Sequence, residues 1–426
     1  MKTAIGSSRN RRSAGNWCGP IQTAFLPAVI LLLASTVLAE QTGTGSDPAA
    51  VPPPAEAPKE APPPLPPGYS SIPQPPLDIP TAQIVPKKGG MPGELVIAPV
   101  PFSNPTFESG LGLGVGYIYK PDRKDKVSPP SIVGIGGLYT ENGSWGVGAL
   151  GKYYLQEDRL RLAGLVAYAD VGFKFFGIGQ DAGERGLYVD LAEKLDLILV
   201  QALRRVKPNT FAGVRLEYIR GEFSVTLPGT HIPDDISMPT PGFTAQTVGI
   251  GLRCQYDTRD NSFAPVRGVY IDLGIDAFDD LWGSDYDYQA FEVALNRYLS
   301  LSKNEVVAVR GYGRFTAGDV PFWGMSCFGM HNDLRGYTSG QYRDRHMIAT
   351  QAEYRRQLTK KVGTVFFAGI GAVAPGIDDF NIDDRLTSFG LGVRYRLTPL
   401  TPLNYSIDWA YAEGDNSLIF SVGEAF

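Results

Sequence analysis

The residues best suited to specific chemistry lie between His331 and Arg345, in the polar, glycine-punctuated stretch HNDLRGYTSGQYRDR. At its centre stands Leu334-Arg335-Gly336-Tyr337. An arginine followed by a glycine calls for a tight turn and an acidic partner, because the guanidinium is always charged and its planar fork matches the two oxygens of a carboxylate. A loop of this length between two alternating runs is a place for function. The chemistry on offer is recognition, not catalysis. The three histidines, His231, His331 and His346, form no pair at helical or strand spacing, so neither a zinc site nor an acid/base centre is expected. The acidic run 376–384, GIDDFNIDD, lacks the calcium-loop pattern and reads as a solvated hairpin tip. No metal, no cofactor and no enzymatic activity are expected.

The elements that must hold this loop alternate with a period of two. Beyond residue 90 there is no long helical periodicity and no continuous apolar span, yet polar or glycine residues alternate repeatedly with apolar ones, the pattern of a transmembrane β-barrel. In Gly110-Leu111-Gly112-Leu113-Gly114-Val115-Gly116-Tyr117 glycine takes one face and apolar side chains the other, so the local likeness to a dinucleotide-binding glycine motif is spurious. Val248, Ile250, Leu252, Cys254 and Tyr256 form another outward face, which points Cys254 at lipid. Strands are expected near 94–102, 110–120, 131–139, 144–155, 159–169, 187–205, 210–223, 244–256, 267–279, 285–299, 304–316, 346–358, 362–373, 385–397, 403–411 and 418–426. The first is the weakest, because Pro99 and Pro101 interrupt its ladder. Sixteen strands put both ends of the barrel on one side, the periplasmic one. The loop 317–345 is then extracellular, and Asp257 to Pro265 is a periplasmic turn. The fold class is all-β, a 16-strand antiparallel transmembrane barrel over residues 93–426.

Residues 1–39 read as an export signal: Lys2, Arg9, Arg11 and Arg12 precede a mostly apolar run from Ile21 to Ala34, and Val37-Leu38-Ala39 offers a cleavage site. Loss of these four cations takes the formal charge from −5 to −9, which argues against nucleic acid as a partner. Cys18 leaves with the signal, and Cys254 and Cys327 stand in unrelated contexts, so no disulfide framework is expected. Residues 40–92 contain three proline clusters among Ala, Glu, Gly and Ser and read as a disordered, extended periplasmic tether.

Four motifs in order carry a resemblance. Tyr256-Asp257-Thr258-Arg259-Asp260-Asn261 with Pro265 and Gly268, then Leu334-Arg335-Gly336-Tyr337, then Arg385, Ser388, Gly390 and Gly392, then Pro399-Leu400 and Asp408 resemble the signatures of the bacterial surface antigen family. Its relatives include the BamA and TamA barrels and the two-partner secretion transporters. The resemblance covers roughly residues 93–426. It implies an outer-membrane location in a Gram-negative envelope, with Arg335, Gly336 and Tyr337 folded back into the barrel and docked on its inner wall. Strand parity offers the partners. Gln351, Glu353 and Arg355 share an inward face, and Asp272, Asp276 and Asp408 also alternate with apolar residues and point inward. Asp257, Arg259 and Asp260 would form the family's periplasmic turn, and Phe426 its C-terminal recognition signal. Leu418, Phe420, Val422 and Phe426 share a lipid-facing phase that Glu424 interrupts.

Two departures matter. The family carries Phe-x-Asp-x-Gly after the strand of Glu353, whereas here the stretch is Phe367-Ala368-Gly369-Ile370-Gly371. Either Glu353 or another inward carboxylate takes Arg335, or the loop is held less firmly than in the relatives. The assembly relatives also carry periplasmic domains before the barrel, where this chain has its proline-rich segment, and no Gly-x-Ser-x-Gly elbow marks a lipase domain. The expected partners are outer-membrane lipids and, by the resemblance, unfolded outer-membrane proteins or periplasmic factors. Two function classes follow: a barrel that assembles or translocates proteins through an opening seam, and a passive pore or structural barrel without insertase activity.

Overall fold

A computed structural model describes residues 93–104, 108–225, 242–329, 333–412 and 415–426. The expected leader and tether over residues 1–92, together with His231 and His331, lie outside the described residues.

Sixteen antiparallel strands form the barrel: β1 Gly93–Asn104, β2 Glu108–Tyr119, β3 Ser131–Thr140, β4 Trp145–Leu155, β5 Leu160–Phe175, β6 Val189–Lys207, β7 Thr210–Val225, β8 Gly242–Asp257, β9 Gly268–Phe278, β10 Tyr288–Ser302, β11 Glu305–Gly318, β12 His346–Gln357, β13 Val362–Ala374, β14 Leu386–Arg396, β15 Asn404–Ala412 and β16 Asp415–Val422. Each pairs with its neighbour in sequence, and β1 meets β16 to close the ring. The alternation dictates two faces. Leu111, Ile135, Val166, Leu252, Leu295, Phe366 and Leu391 stand exposed on the outside, a belt that only lipid can cover favourably. Cys254 is exposed on the same face. β5 runs past its expected end to Phe175 because period two continues into polar pairs, with Lys174 opposite Asp190 of β6.

The inner wall has two characters. Val96, Ile118, Leu150, Val171, Phe173, Leu195 and Phe223, all from the first seven strands, form one apolar cluster. β8 to β15 instead present Arg253, Asp276, Arg310, Glu353, Arg394 and Asp408, all buried. Between these walls lies the 319–345 loop. It carries a two-residue ladder, Ser326–Cys327 against Arg343–Asp344, and buries Phe322, Trp323, Leu334, Tyr337 and Tyr342. A short helix in the β5–β6 connection, α1 Gln180–Arg185, lies over it: Gln341 Nε2 donates to the Gly183 carbonyl at 3.1 Å, and Gly179 N donates to the Arg343 carbonyl at 2.7 Å.

The last strand corrects the sequence reading. It spans 415–422 instead of 418–426, because Gly423 takes φ +110° and turns the chain out of the extended course. Glu424 and Phe426 therefore swing inward and are 7% and 3% exposed, and neither faces lipid. Leu418 does face out, at 46% exposure, whereas Val422 and Phe420 join the apolar cluster of β1 to β4. Val422 and Phe420 share the phase of the outward Leu418, yet they pack with inward residues of the first strands. The two edges of the sheet therefore lap over one another at the terminal end.

Among the described residues, backbone pairing across this seam is reduced to one position, Ser103 opposite Leu418. Pro99 and Pro101 supply no N–H, so an edge strand that keeps its full ladder with β2 has little to offer β16. What ties β1 down is side chain. The Tyr405 hydroxyl donates to the Pro99 carbonyl at 2.8 Å, and both Glu94 carboxylate oxygens accept backbone N–H groups, of Leu400 and Thr401, at 2.9 Å each.

Candidate functional site

The inward faces of β12, β14 and β15 bring charged residues of both signs to one place. Glu353 and Arg355 stand two apart on β12, Arg394 lies on β14, and Asp408 lies on β15 opposite Gly392. Gly392 is required there, since a Cβ at that position would sit 1.8 Å from Asp408 Oδ1. Gly390 likewise leaves room for Phe367, whose ring lies 3.5 Å beneath the Arg335 guanidinium. The loop descends onto this floor. Gly336 takes φ +107°, against Ala410 and Ala412. Ser388 Oγ donates to the Arg335 carbonyl, Ser417 Oγ donates to the Gly336 carbonyl at 3.0 Å, and the Tyr337 hydroxyl donates to the Thr387 carbonyl at 2.8 Å.

The charges close a ring. Arg335 donates through Nη2 to Glu353 and through Nη1 to Asp408 Oδ2 at 2.6 Å. Arg394 donates to Asp408 and, at 2.8 Å, to Glu424 Oε2. Arg355 lies 3.8 Å from Glu424 and donates at 2.7 Å to Glu353, which returns the circuit to Arg335. Three arginines and three carboxylates thus alternate, and none of the six side chains is more than 11% exposed. Each ion has two neighbours of opposite sign, the condition under which burial of charge is tolerable. The ring also reaches the chain end: Arg355 Nη2 donates to the Phe426 carbonyl at 2.8 Å, with its guanidinium 5.4 Å from the Phe426 ring.

An Omp85 superfamily domain matches residues 172–426, three fifths of the chain and the whole of this site. The chain belongs to the Omp85 superfamily. Among solved structures it is similar to BamA from Haemophilus ducreyi lacking POTRA domains 1–3, at 15% identity over 78% of this chain and 69% of that one, with a TM-score of 0.50. CdiB from Escherichia coli is similar at 9% identity over 81% and 67%, with a TM-score of 0.51. CdiB from Acinetobacter baumannii is similar at 12% identity over 78% of this chain, with a TM-score of 0.50, and the chain spans 59% of that protein's length. No curated protein matches.

Of the four carboxylates expected near Arg335, this Omp85 barrel brings Glu353 and Asp408 to it and keeps two away. Asp276 pairs with Arg253 at 2.6 Å, and Asp272 accepts from Gln255 at 3.1 Å and from the Tyr270 hydroxyl at 3.0 Å. Glu424 and Arg394 escaped the sequence reading for different reasons. Glu424 was out of phase because of the Gly423 turn, whereas Arg394 carries a readable signal, the same parity as Ser388, Gly390 and Gly392. Gly369 now has a reason of its own. A Cβ there would lie 2.8 Å from Leu334 Cδ1 and 3.0 Å from the Thr350 carbonyl, so the place of the family aspartate is filled by the loop's own leucine.

At the terminal end of the Omp85 barrel, Arg259 grips Asp257 with Nε at 3.0 Å and Nη2 at 3.1 Å and lies 3.9 Å over the Tyr270 ring. Asp260 accepts from the backbone N–H of Val266 and Arg267 at 3.0 and 3.2 Å and so shapes the turn.

Proposed function

We propose that this barrel spans the outer membrane of a Gram-negative envelope with both termini in the periplasm, and that it inserts or translocates other proteins through the seam between β1 and β16. The leader 1–39 would direct export, and residues 40–92 would act as a periplasmic tether. The observation that carries the reading is that, among the described residues, a single backbone pair closes β1 on β16. A ring of fifteen full ladders with one nearly unpaired junction has a preferred place to open, and two exposed strand edges are templates for an incoming strand. The ionic ring then has a role: it fixes the loop and β15 beside the moving edge, so that opening does not empty the lumen. The activity is non-enzymatic in this reading, and the substrate is an unfolded protein segment.

The test is depletion followed by outer-membrane proteomics. Broad loss of other barrel proteins supports assembly, whereas unchanged composition together with a steady single-channel conductance supports a passive pore. A second arm links Ser103→Cys to Leu418→Cys in a chain with Cys254 and Cys327 replaced. Oxidation should abolish complementation, and reduction should restore it. Full complementation with the link closed rejects the seam.

A further inference from the structure

The two ends of the barrel differ in charge. Connections and strand ends on the side of the termini carry Lys120, Lys124, Arg204, Lys207, Lys360 and Lys361, whereas connections at the opposite end carry Asp279, Asp280, Asp378, Asp379, Asp383 and Asp384. Within the basic end one place is concave. A cleft of about 800 Å³ opens between the turns at 156–159 and 208–209, lined by Arg159, Arg161, Arg204, Arg205, Lys207 and Arg267 among others.

Its floor is rigid, and its mouth is neutralised only in part: Arg159 lies 3.7 Å from Glu157 and Arg267 3.8 Å from Asp260, two exposed and loosely held pairs. Arg161 lies 3.4 Å over the Phe211 ring and donates to both oxygens of Asp158, at 2.9 and 3.1 Å, and Arg205 Nη2 adds a third bond to Asp158 at 2.9 Å. The floor carboxylates are therefore occupied. Arg205 Nε is buried without an acceptor. Among the described residues no carboxylate pairs with Arg204 or Lys207, and both are exposed. One wall, at Val127, is pinned through Asp125, which accepts from Glu157 N at 3.0 Å and from Val127 N at 2.9 Å. Slight burial alone would raise the Asp125 carboxyl, but hydrogen bonds from Ser128, Glu157 and Val127 outweigh it and bring the group down to about 2.

We propose that this cleft binds the phosphate group of an anionic glycerophospholipid headgroup. The Arg204 guanidinium and the Lys207 ammonium at the mouth of the cleft match the oxygens of a phosphate, and cations without a carboxylate partner at a strand end meet headgroups where the outward face leaves the bilayer. A free phosphate would satisfy the same groups. The lipid is favoured by what lies beside the cleft on the same side of the barrel. An apolar groove of about 660 Å³, lined by Val115, Ile135, Tyr153, Leu162, Val166 and Val200 among others, lies across β2 to β6 and reaches β5 and β6 at its edge. Arg204 follows Val200 by four residues along β6, which at strand rise is about 13 Å, the distance from a headgroup into its acyl chains. The inference rests on the barrel spanning a bilayer and not on any assembly activity.

The test uses the full chain in mixed micelles and measures by native mass spectrometry the phosphatidylglycerol retained relative to phosphatidylcholine. Wild type should prefer phosphatidylglycerol by about fivefold or more, and Arg204→Gln with Lys207→Gln should reduce the preference to within about twofold, as loss of two charge-assisted contacts implies. Neither residue has a carboxylate partner, so folding, read from heat-modifiable mobility, should be unchanged. Lys360→Gln with Lys361→Gln, on the same rim outside the cleft, should keep the preference. Retention by the first variant equal to wild type overturns the proposal. Equal loss in both variants overturns it in favour of diffuse rim charge, and displacement of phosphatidylglycerol by inorganic phosphate alone overturns the lipid in favour of a free anion.

Discussion

The 319–345 loop is held in the lumen at two places by different physics. Its first part inserts Phe322 and Trp323 among aromatic rings at the far end of β5, β7 and β8, with Trp323 5.6 Å from Phe223, 6.5 Å from Phe243 and 5.0 Å from Tyr286, and Phe322 5.3 Å from Phe175. Its second part inserts Arg335 into the closed ring with Glu353 and Asp408. Apolar docking scales with area and is indifferent to direction, so it can hold a loop in many neighbouring positions. Ionic docking has one acceptable position, because any other leaves a buried charge short of a partner. The aromatic site therefore supplies adhesion, and the ring supplies register.

The largest effect expected from breaking that contrast is at Arg335. Arg335→Ala leaves Glu353 and Asp408 each one cation short, at a cost of about 3–5 kcal/mol. The temperature at which heat-modifiable mobility is lost should fall, and trypsin should gain access to Arg343 and Arg345. Arg335→Lys should recover little of this, because an ammonium cannot reach both carboxylates as the fork does. A change below about 1 kcal/mol, typical of an exposed pair, would mean that the ring is solvated.

Next in size is Glu353→Gln, expected to cost about 1.5–3 kcal/mol, since Asp408 still holds Arg335 while Arg355 turns to Glu424. Combined with Arg335→Ala it should add little, because partners in one network are not additive. Full additivity in a thermal double-mutant cycle would show that Glu353 serves Arg355 alone.

Gly369→Asp restores the family's residue and should nonetheless destabilise, by about 1–3 kcal/mol of overpacking against Leu334. Greater protease access to the loop would record it. Unchanged stability would show that Leu334 can vacate the place and that the glycine is incidental.

Much of this was legible in the sequence, and the rest was hidden for identifiable reasons. Period two revealed all sixteen barrel strands and the inward phase of Glu353, Asp272, Asp276 and Asp408, because the inside and outside of a barrel impose opposite chemistry on neighbouring residues. Parity cannot say how far along the lumen a carboxylate lies, so it did not separate Asp408, which meets Arg335, from Asp272, which does not. Parity also fails where the backbone leaves the extended region, as at Gly423, and there Glu424 was assigned to the wrong face. The lapped seam involves the two edges furthest apart in the chain, and no local pattern reports their approach. Pro99 and Pro101 were the one visible hint.

The smallest expected effect sharpens the contrast most. Trp323→Phe removes apolar area from the aromatic site, which costs stability in proportion to the lost contact. It also removes Nε1, a buried donor that has no acceptor, and so relieves the penalty of an unmade hydrogen bond. The two terms oppose one another, and the net change should lie within about 1 kcal/mol of zero. Arg335→Lys is equally conservative in charge and size, yet it should cost several times more. Measured side by side as shifts in the heat-modifiability midpoint, the pair distinguishes a site that asks only for bulk from one that asks for geometry. Equal shifts would mean that both halves of the loop are held by packing, and that the ring of charges follows the loop's position without setting it.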